Sequence, residues 1–367
     1  MSIDLTGITN KNEYYTNHYF STIFEENAGE AITAWAQAAK SSEEIRTPWA
    51  QLRQNARQFY PLHDRYAGGA LNLQLLAAIR TMADRYLASL GYPEAAPELV
   101  PVDASLSVPV YLEMKKSNGA PLLWVMLSAS RESDAGILES NVFDGNIAEE
   151  DAFGAVHNDD LLELKNEDLA TQILFGAAEP PRFLLFISLN QIALIDRNKW
   201  SEKRYLQFEL EDIFSRLELT TLQAMVVLLH KDSLCPEDGS ILLDELNEQS
   251  QKNAAGVSQD LKYALRECIE LLGNEVLHDM RTRQKINLEE HPVDAGQLTL
   301  ECLRYMYRML FILFIEARPE LGYAPIRELS YLKGYSLESL RDIADAVRDD
   351  AVSYTHLRAH ETDSYLV

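Results

Sequence analysis

The stretch RFLLFISLNQIALIDRNKWSEKRYLQFELEDIF, residues 182–214, decides the fold. It opens on an apolar run, turns at Asn190-Gln191, resumes as a second run ending at Asp196, and closes on the alternating RYLQFEL. Apolar runs of strand length bounded by turn residues predict three strands of a sheet. Upstream, SVPVYLEMKK (107–116) alternates apolar and polar positions, SNGA supplies a turn, and PLLWVMLSAS (121–130) is a second short apolar run. Together they predict a β-hairpin or two further sheet strands.

Before these strands, residues 11–90 read mostly as helix. EEIRTPWAQLRQNARQFYPLHDRY and ALNLQLLAAIRTMADRYLASLGY carry apolar residues three and four apart, and Gly91 with Pro93 ends the second. Residues 1–212 are therefore expected to form an α/β (or α+β) domain. Within it, Glu132 to Ala170 holds twelve Asp or Glu against one basic residue, Lys165, which predicts a solvated acidic insertion over 132–170.

Beyond residue 212 the strand signals stop. TTLQAMVVLLHK begins with a Thr able to cap a helix, and helical periodicity runs from Gly239 to Arg281 with a break expected near Ala255-Gly256. DAGQLTLECLRYMYRMLFILFIEARPEL (294–321) predicts a long helix, apolar nearly all round at its centre, which belongs in the middle of a bundle. Arg304 and Arg308, one turn apart, need carboxylates such as Glu301 or Glu316. Residues 213–351 are thus expected to be an all-α domain.

Composition sets the outer bounds. With 47% hydrophobic and 25% charged residues the chain has a globular make-up and the length for two domains. Its longest apolar runs are far below the ~20 residues of a membrane span, and MSIDLTGITNKNEYY carries no basic or apolar signal region, so no membrane role and a cytoplasmic location are expected. Cys235, Cys268 and Cys302 form no CxxC and are read as buried, reduced thiols. A net charge of −24 excludes a surface that is a nucleic-acid footprint throughout, since phosphate binding needs clustered Lys and Arg.

The chemical signal is an Asp…Glu-x-Lys pattern: Asp103, Glu113 and Lys115 in PVDASLSVPVYLEMKK. In nucleases with a PD-(D/E)xK core, an Asp and a Glu at strand ends hold a divalent metal and the Lys orients or activates water. Glu113 and Lys115, two apart, share one strand face, as that chemistry requires. Asp103 and Glu113 are then the candidate metal ligands for Mg²⁺, with all three residues as a candidate, degenerate nuclease site. The hairpin reading, however, places Glu113 before the turn rather than on the strand that usually carries the motif. YAGGAL (Gly68, Gly69) lacks a preceding strand and reads as a loop between helices rather than a phosphate loop. The histidines up to His291 are too scattered for a linear metal or triad motif.

The tail differs from the rest. Val352 to Thr362 can be read back into a nucleotide string resembling the adapter of transposase-based sequencing libraries, so 352–367 is expected to be an artefact and authentic sequence to stop near Ala351. His356 and His360 belong to this tail, and their spacing is not read as a metal pair.

NEYYTNHYFSTIFEE, LIDRNKWSEKRYLQFELEDIF, LNEQSQKNAAGVSQDLKYALRECIELLGNEVL, LTLECLRYMYRMLFILFIEARPELGYAPI and YLKGYSLESLRD span nearly all of residues 10–343. In this order they resemble the N-terminal half of large adenine-specific DNA methyltransferases of the type IIG restriction-modification kind and their relatives in phage-defence systems. The resemblance implies a nuclease-like or regulatory domain followed by a helical connector, then methyltransferase and target-recognition domains. The methyltransferase part needs a Gly-rich loop for S-adenosylmethionine and an Asn/Asp-Pro-Pro-aromatic tetrapeptide for the flipped adenine. Neither is present, and the only Pro-Pro pair is Pro180-Pro181 in EPPR. The chain is accordingly expected to be an N-terminal fragment lacking the catalytic domain, inactive as a methyltransferase. S-adenosylmethionine and DNA would be bound by the intact parent, and Mg²⁺ needed only where the nuclease is active. Defence-system proteins are further expected partners. The alternative expectation is a non-enzymatic acidic module for protein interaction or DNA mimicry.

Overall fold

The computed structural model describes residues 4–41, 46–68, 72–103, 106–128, 136–142, 164–237, 239–318, 322–326, 328–337, 339–341 and 343–344. Most of the acidic stretch 132–170 and the whole of 352–367 lie outside the described residues, so the insertion and tail expectations do too.

Predicted strands and one that was not predicted, β1, assemble into one mixed sheet of six, in the order β1-β8-β7-β6-β5-β4. These are β1 (Ile8–Lys11), β4 (Leu112–Lys115), β5 (Pro121–Leu127), β6 (Phe183–Ile187), β7 (Gln191–Asp196) and β8 (Tyr205–Glu209). All neighbours are antiparallel except β5 and β6, which run parallel from Leu123↔Phe183 to Leu127↔Ile187. Every residue of β6 is buried, as a central strand covered on both faces requires. The β6–β7 turn is centred one residue earlier than expected: Ser188 N–H donates to the Gln191 carbonyl at 2.9 Å, and Gln191 already belongs to β7.

SVPVYLEMKK is not one strand. It divides at Tyr111 into β3 (Ser107–Val110), which pairs only with β2 (Glu98–Pro101), and β4, which joins the main sheet. Pro109 has no N–H to give a ladder, and Tyr111 N–H donates to Val125 instead at 2.8 Å, so the chain changes sheets there.

Helices α1 (Asn17–Thr22), α2 (Phe24–Ser41), α3 (Pro48–Gly68) and α4 (Leu73–Ser89) precede the strands; α5 (Asn166–Gly176) lies between β5 and β6. Asn72 caps α4 by accepting from Leu75 N–H at 2.9 Å. After the sheet come α6 (Arg197–Trp200), α7 (Leu210–Arg216), α8 (Leu219–Leu229) and α9 (Lys231–Leu234). Phe214 of α7 meets Phe59 of α3 and Tyr86 of α4 with ring centres 5.3 and 6.0 Å apart. α3 and α4 pack on each other, and α8 on α2 and α3.

The chain divides into two compact units at Gly256/Val257, not at residue 212. The reason is α8, whose residues Ala224–Leu229 are all buried. A helix apolar on every side must be surrounded, and α2 and α3 of the first unit surround it. The break expected at Ala255-Gly256 is also absent. α10 (Leu242–Thr282) is one helix of 41 residues, because a single Gly costs it only about 1 kcal/mol.

In the second unit, α10 beyond Gly256 packs against α11 (Ala295–Glu316), closely enough that a Cβ added at Gly273 would lie 4.0 Å from Cys302 Sγ. Asp294 caps α11 through Gly296 N–H at 2.8 Å. Arg304 pairs with Glu301 at 2.7 Å, as expected, whereas Glu316 instead accepts from Tyr331 OH and Leu337 N–H, tying down α12 (Leu329–Gly334). α11 is not the centre of a bundle. Among the described residues of this unit only Cys302 and Ser336 are buried, while Tyr305, Tyr307, Phe311 and Phe314 are each more than half exposed. One neighbouring long helix can cover only one side of a helix that is apolar all round. Among the described residues no helix is long and apolar enough to cross a membrane.

Candidate functional site

Glu113 and Lys115 do share one face of β4, and they are spent on each other. Lys115 Nζ lies 2.9 Å from Glu113 Oε2. The other oxygen, Oε1, accepts from Trp124 Nε1–H at 2.9 Å across the β4–β5 pair, in which Glu113 stands directly opposite Trp124. The hydrogen bond to Glu113, reinforced by its charge, raises the Lys115 pKa and keeps an ammonium there. Asp103 is elsewhere. It sits in the turn between β2 and β3, where it accepts from Leu106 N–H at 2.8 Å. In that hairpin Pro101 faces Ser107, so the turn lies at the far end of β3 from Val110 and β4.

The structure thus brings Glu113 and Lys115 together and leaves Asp103 on the hairpin turn. β5, the strand after the β4–β5 turn, reads PLLWVML and carries no acid. Among the described residues no three His, Cys, Asp or Glu side chains converge to hold a metal. The groups present at Glu113 do not fit a Mg²⁺ ion, which needs open carboxylate oxygens, because both of its oxygens are engaged by Trp124 and Lys115. Beside Lys115 lies a cleft of about 570 Å³, bounded by Lys116, Lys231, Glu237 and Cys235. Burial pushes the Cys235 thiol up to about 12, so it is no nucleophile at neutral pH. Of the other two cysteines, Cys302 is buried and Cys268, contrary to expectation, is exposed.

The most charged interior position was not legible as a motif. It forms where β7 ends. Asp196, buried, caps α6 by accepting from Asn198 N–H at 2.9 Å and pairs with Arg182 Nη2 at 3.2 Å. Arg182 also grips Asp244 at the start of α10, with Nη1 2.7 Å from Oδ2, and its guanidinium lies 4.7 Å from the Phe183 ring centre. One turn into α6, Lys199 Nζ donates to the Tyr14 carbonyl at 2.5 Å and stands 3.8 and 4.5 Å from the Tyr14 and Tyr15 ring centres. Thr16 N–H then donates to Ser250 Oγ of α10 at 3.0 Å.

Burial lowers the Lys199 pKa to about 8 against the pull of Asp196. The cage therefore holds an ammonium that is part-way to losing its proton just above neutrality. The arrangement joins the N-terminal segment, the sheet and α10 through two cations, Lys199 on Tyr14 and Tyr15 and Arg182 on Asp244. Removing the charge tests this. The unfolded lysine titrates near 10.5, so between pH 8 and 10 the unfolded chain binds more protons and this residue makes stability rise with pH. Below pH 8 both states are charged and the burial penalty is constant. Lys199→Met is expected to flatten the wild-type profile over pH 8–10 by up to about 1.4 kcal/mol per pH unit. Urea denaturation at several pH values checks it, and parallel profiles for the two proteins would refute the assignment.

Compared with protein-family models, curated proteins and solved structures, the chain matches none.

Proposed function

We propose that this chain is the N-terminal, nuclease-like and helical-connector portion of a restriction-modification or phage-defence adenine-specific DNA methyltransferase, and that its α/β unit has no metal-dependent cleavage chemistry of its own. S-adenosylmethionine and DNA are then the business of the intact parent. The observation that carries this reading is the meeting of three of the strings on which the resemblance rests. Tyr14 and Tyr15 from the first cage Lys199 from the second, and Thr16 hydrogen-bonds Ser250 from the third. Strings this far apart in sequence but joined in one contact network are what a shared structural framework preserves. The lack of cleavage chemistry is supported by Glu113, both of whose oxygens are engaged by neighbouring side chains.

Reading the gene past codon 351 tests the role, and incubating the purified chain with duplex DNA and Mg²⁺ tests the chemistry. An open frame entering a Gly-rich loop and an Asn/Asp-Pro-Pro-aromatic motif, with no cleavage and no S-adenosylmethionine binding by this chain, is expected. A prompt stop codon, or tight S-adenosylmethionine binding here, sinks the role. Mg²⁺-dependent nicking that Glu113→Gln abolishes sinks the statement on chemistry.

A further inference from the structure

The second unit carries an apolar groove. Its floor is Leu265 and Ile269 of α10 with Leu303, Met306, Tyr307 and Leu310 of α11, enclosing about 540 Å³. The α11 residues recur every three or four positions, so the floor runs along the helix axes. The residues that meet run in opposite directions along α10 and α11, and a seam between two antiparallel helices is a place where a third helix packs at the usual 8–10 Å spacing. Leu303 and Tyr307 are 51% and 69% exposed, and contiguous exposed apolar surface of this kind marks an interaction site.

The rim carries a sign. Arg304 and Arg308 line the groove one turn apart, and no acid lines it with them. Arg304 shares the exposed Glu301; Arg308 is exposed and has no ion-pair partner among the described residues. Two neighbouring guanidiniums at the edge of an apolar floor are out of keeping with a chain of net charge −24. They ask for carboxylates one turn apart on whatever lies in the groove. The geometry points to one occupant: an amphipathic α-helix of a protein partner, its apolar face on Leu303, Tyr307 and Leu310, its acidic flank on Arg304 and Arg308. A second copy placing α11 on α11 would set arginine pair against arginine pair, and a lipid surface is flat where this site is concave. The inference rests on the groove alone and stands apart from the proposed role in DNA modification.

The probe is a fluorescent helical peptide with leucines at i, i+3, i+4 and i+7 and glutamates one turn apart on one flank, titrated with the full chain. Saturable binding is expected, weakened about tenfold or more by Arg308→Glu and by Tyr307→Asp. Both residues are exposed, so both variants fold. A peptide with lysines for glutamates is expected to bind the Arg308→Glu chain better than the wild type. Equal binding of the two peptides by the wild type overturns the proposal, as does no binding of either. A wild-type dimer by light scattering that Tyr307→Asp makes monomeric overturns it in favour of a second copy. Uptake on phosphatidylcholine–phosphatidylserine vesicles without peptide binding overturns it in favour of a lipid surface.

Discussion

Replacing Arg182 by alanine is expected to cost about 3–5 kcal/mol of unfolding free energy, because it takes the paired guanidinium away from the buried Asp196 carboxylate. Asp244, the other carboxylate on this guanidinium, is half exposed and water takes over its solvation, so the loss is concentrated at Asp196. A domain of ordinary stability has roughly 5–15 kcal/mol in hand, and a loss of this size also lowers the soluble yield. The double variant Arg182→Met/Asp196→Asn removes both charges and keeps an oxygen to accept from Asn198 N–H. It is expected to recover much of the loss, since replacing a buried pair is far cheaper than breaking one. Denaturation of the three proteins at pH 7 decides it, and an Arg182→Ala variant within about 1 kcal/mol of wild type would contradict a buried ion pair.

Trp124→Ala is expected to be of the same size, about 3–5 kcal/mol, from the cavity left where an almost wholly buried indole stood in β5. Trp124→Phe separates packing from hydrogen bonding. It keeps most of the ring volume but removes the Nε1–H that Glu113 accepts, leaving a carboxylate oxygen in a largely buried position, for a further cost of about 1–3 kcal/mol. Adding Glu113→Leu to that variant takes away the unmet acceptor and is expected to return part of the cost. A Trp124→Phe protein as stable as wild type would mean that Glu113 is not held by the indole, and would reopen it as a free ligand.

Much of the sheet was legible because β6, β7 and β8 follow one another with short connections and apolar runs of strand length. β1 was not: Ile8–Lys11 reads ITNK, and its strand character comes from pairing with Tyr205–Phe208, a partner that no local window contains. The division at Tyr111 was hidden because alternation continues through it, although Pro109 was its one visible sign. The α8 helix was assigned to the wrong unit because periodicity tells what a segment is and not what covers it. At the site, Glu113 and Lys115 were found by spacing. Their engagement by Trp124 and by each other was not, since Trp124 arrives from the next strand. Lys199 left no linear trace beyond the capping Asp196 in IDRNK; its cage is made by residues near position 15 and an ion pair reaching to position 244.

The pairing of β1 with β8 also bears on how the chain is made. Phe208, the partner of Ile8, is added about 200 residues after it, some 10–40 s at 5–20 residues per second. Through that interval the first strand has no ladder to join, and a finished β8 would present an open edge until β1 returns to it. A bulky N-terminal tag, or removal of the first eleven residues, lengthens that exposure or makes it permanent. Aggregation during expression, rather than loss of the folded core, is the failure to look for first.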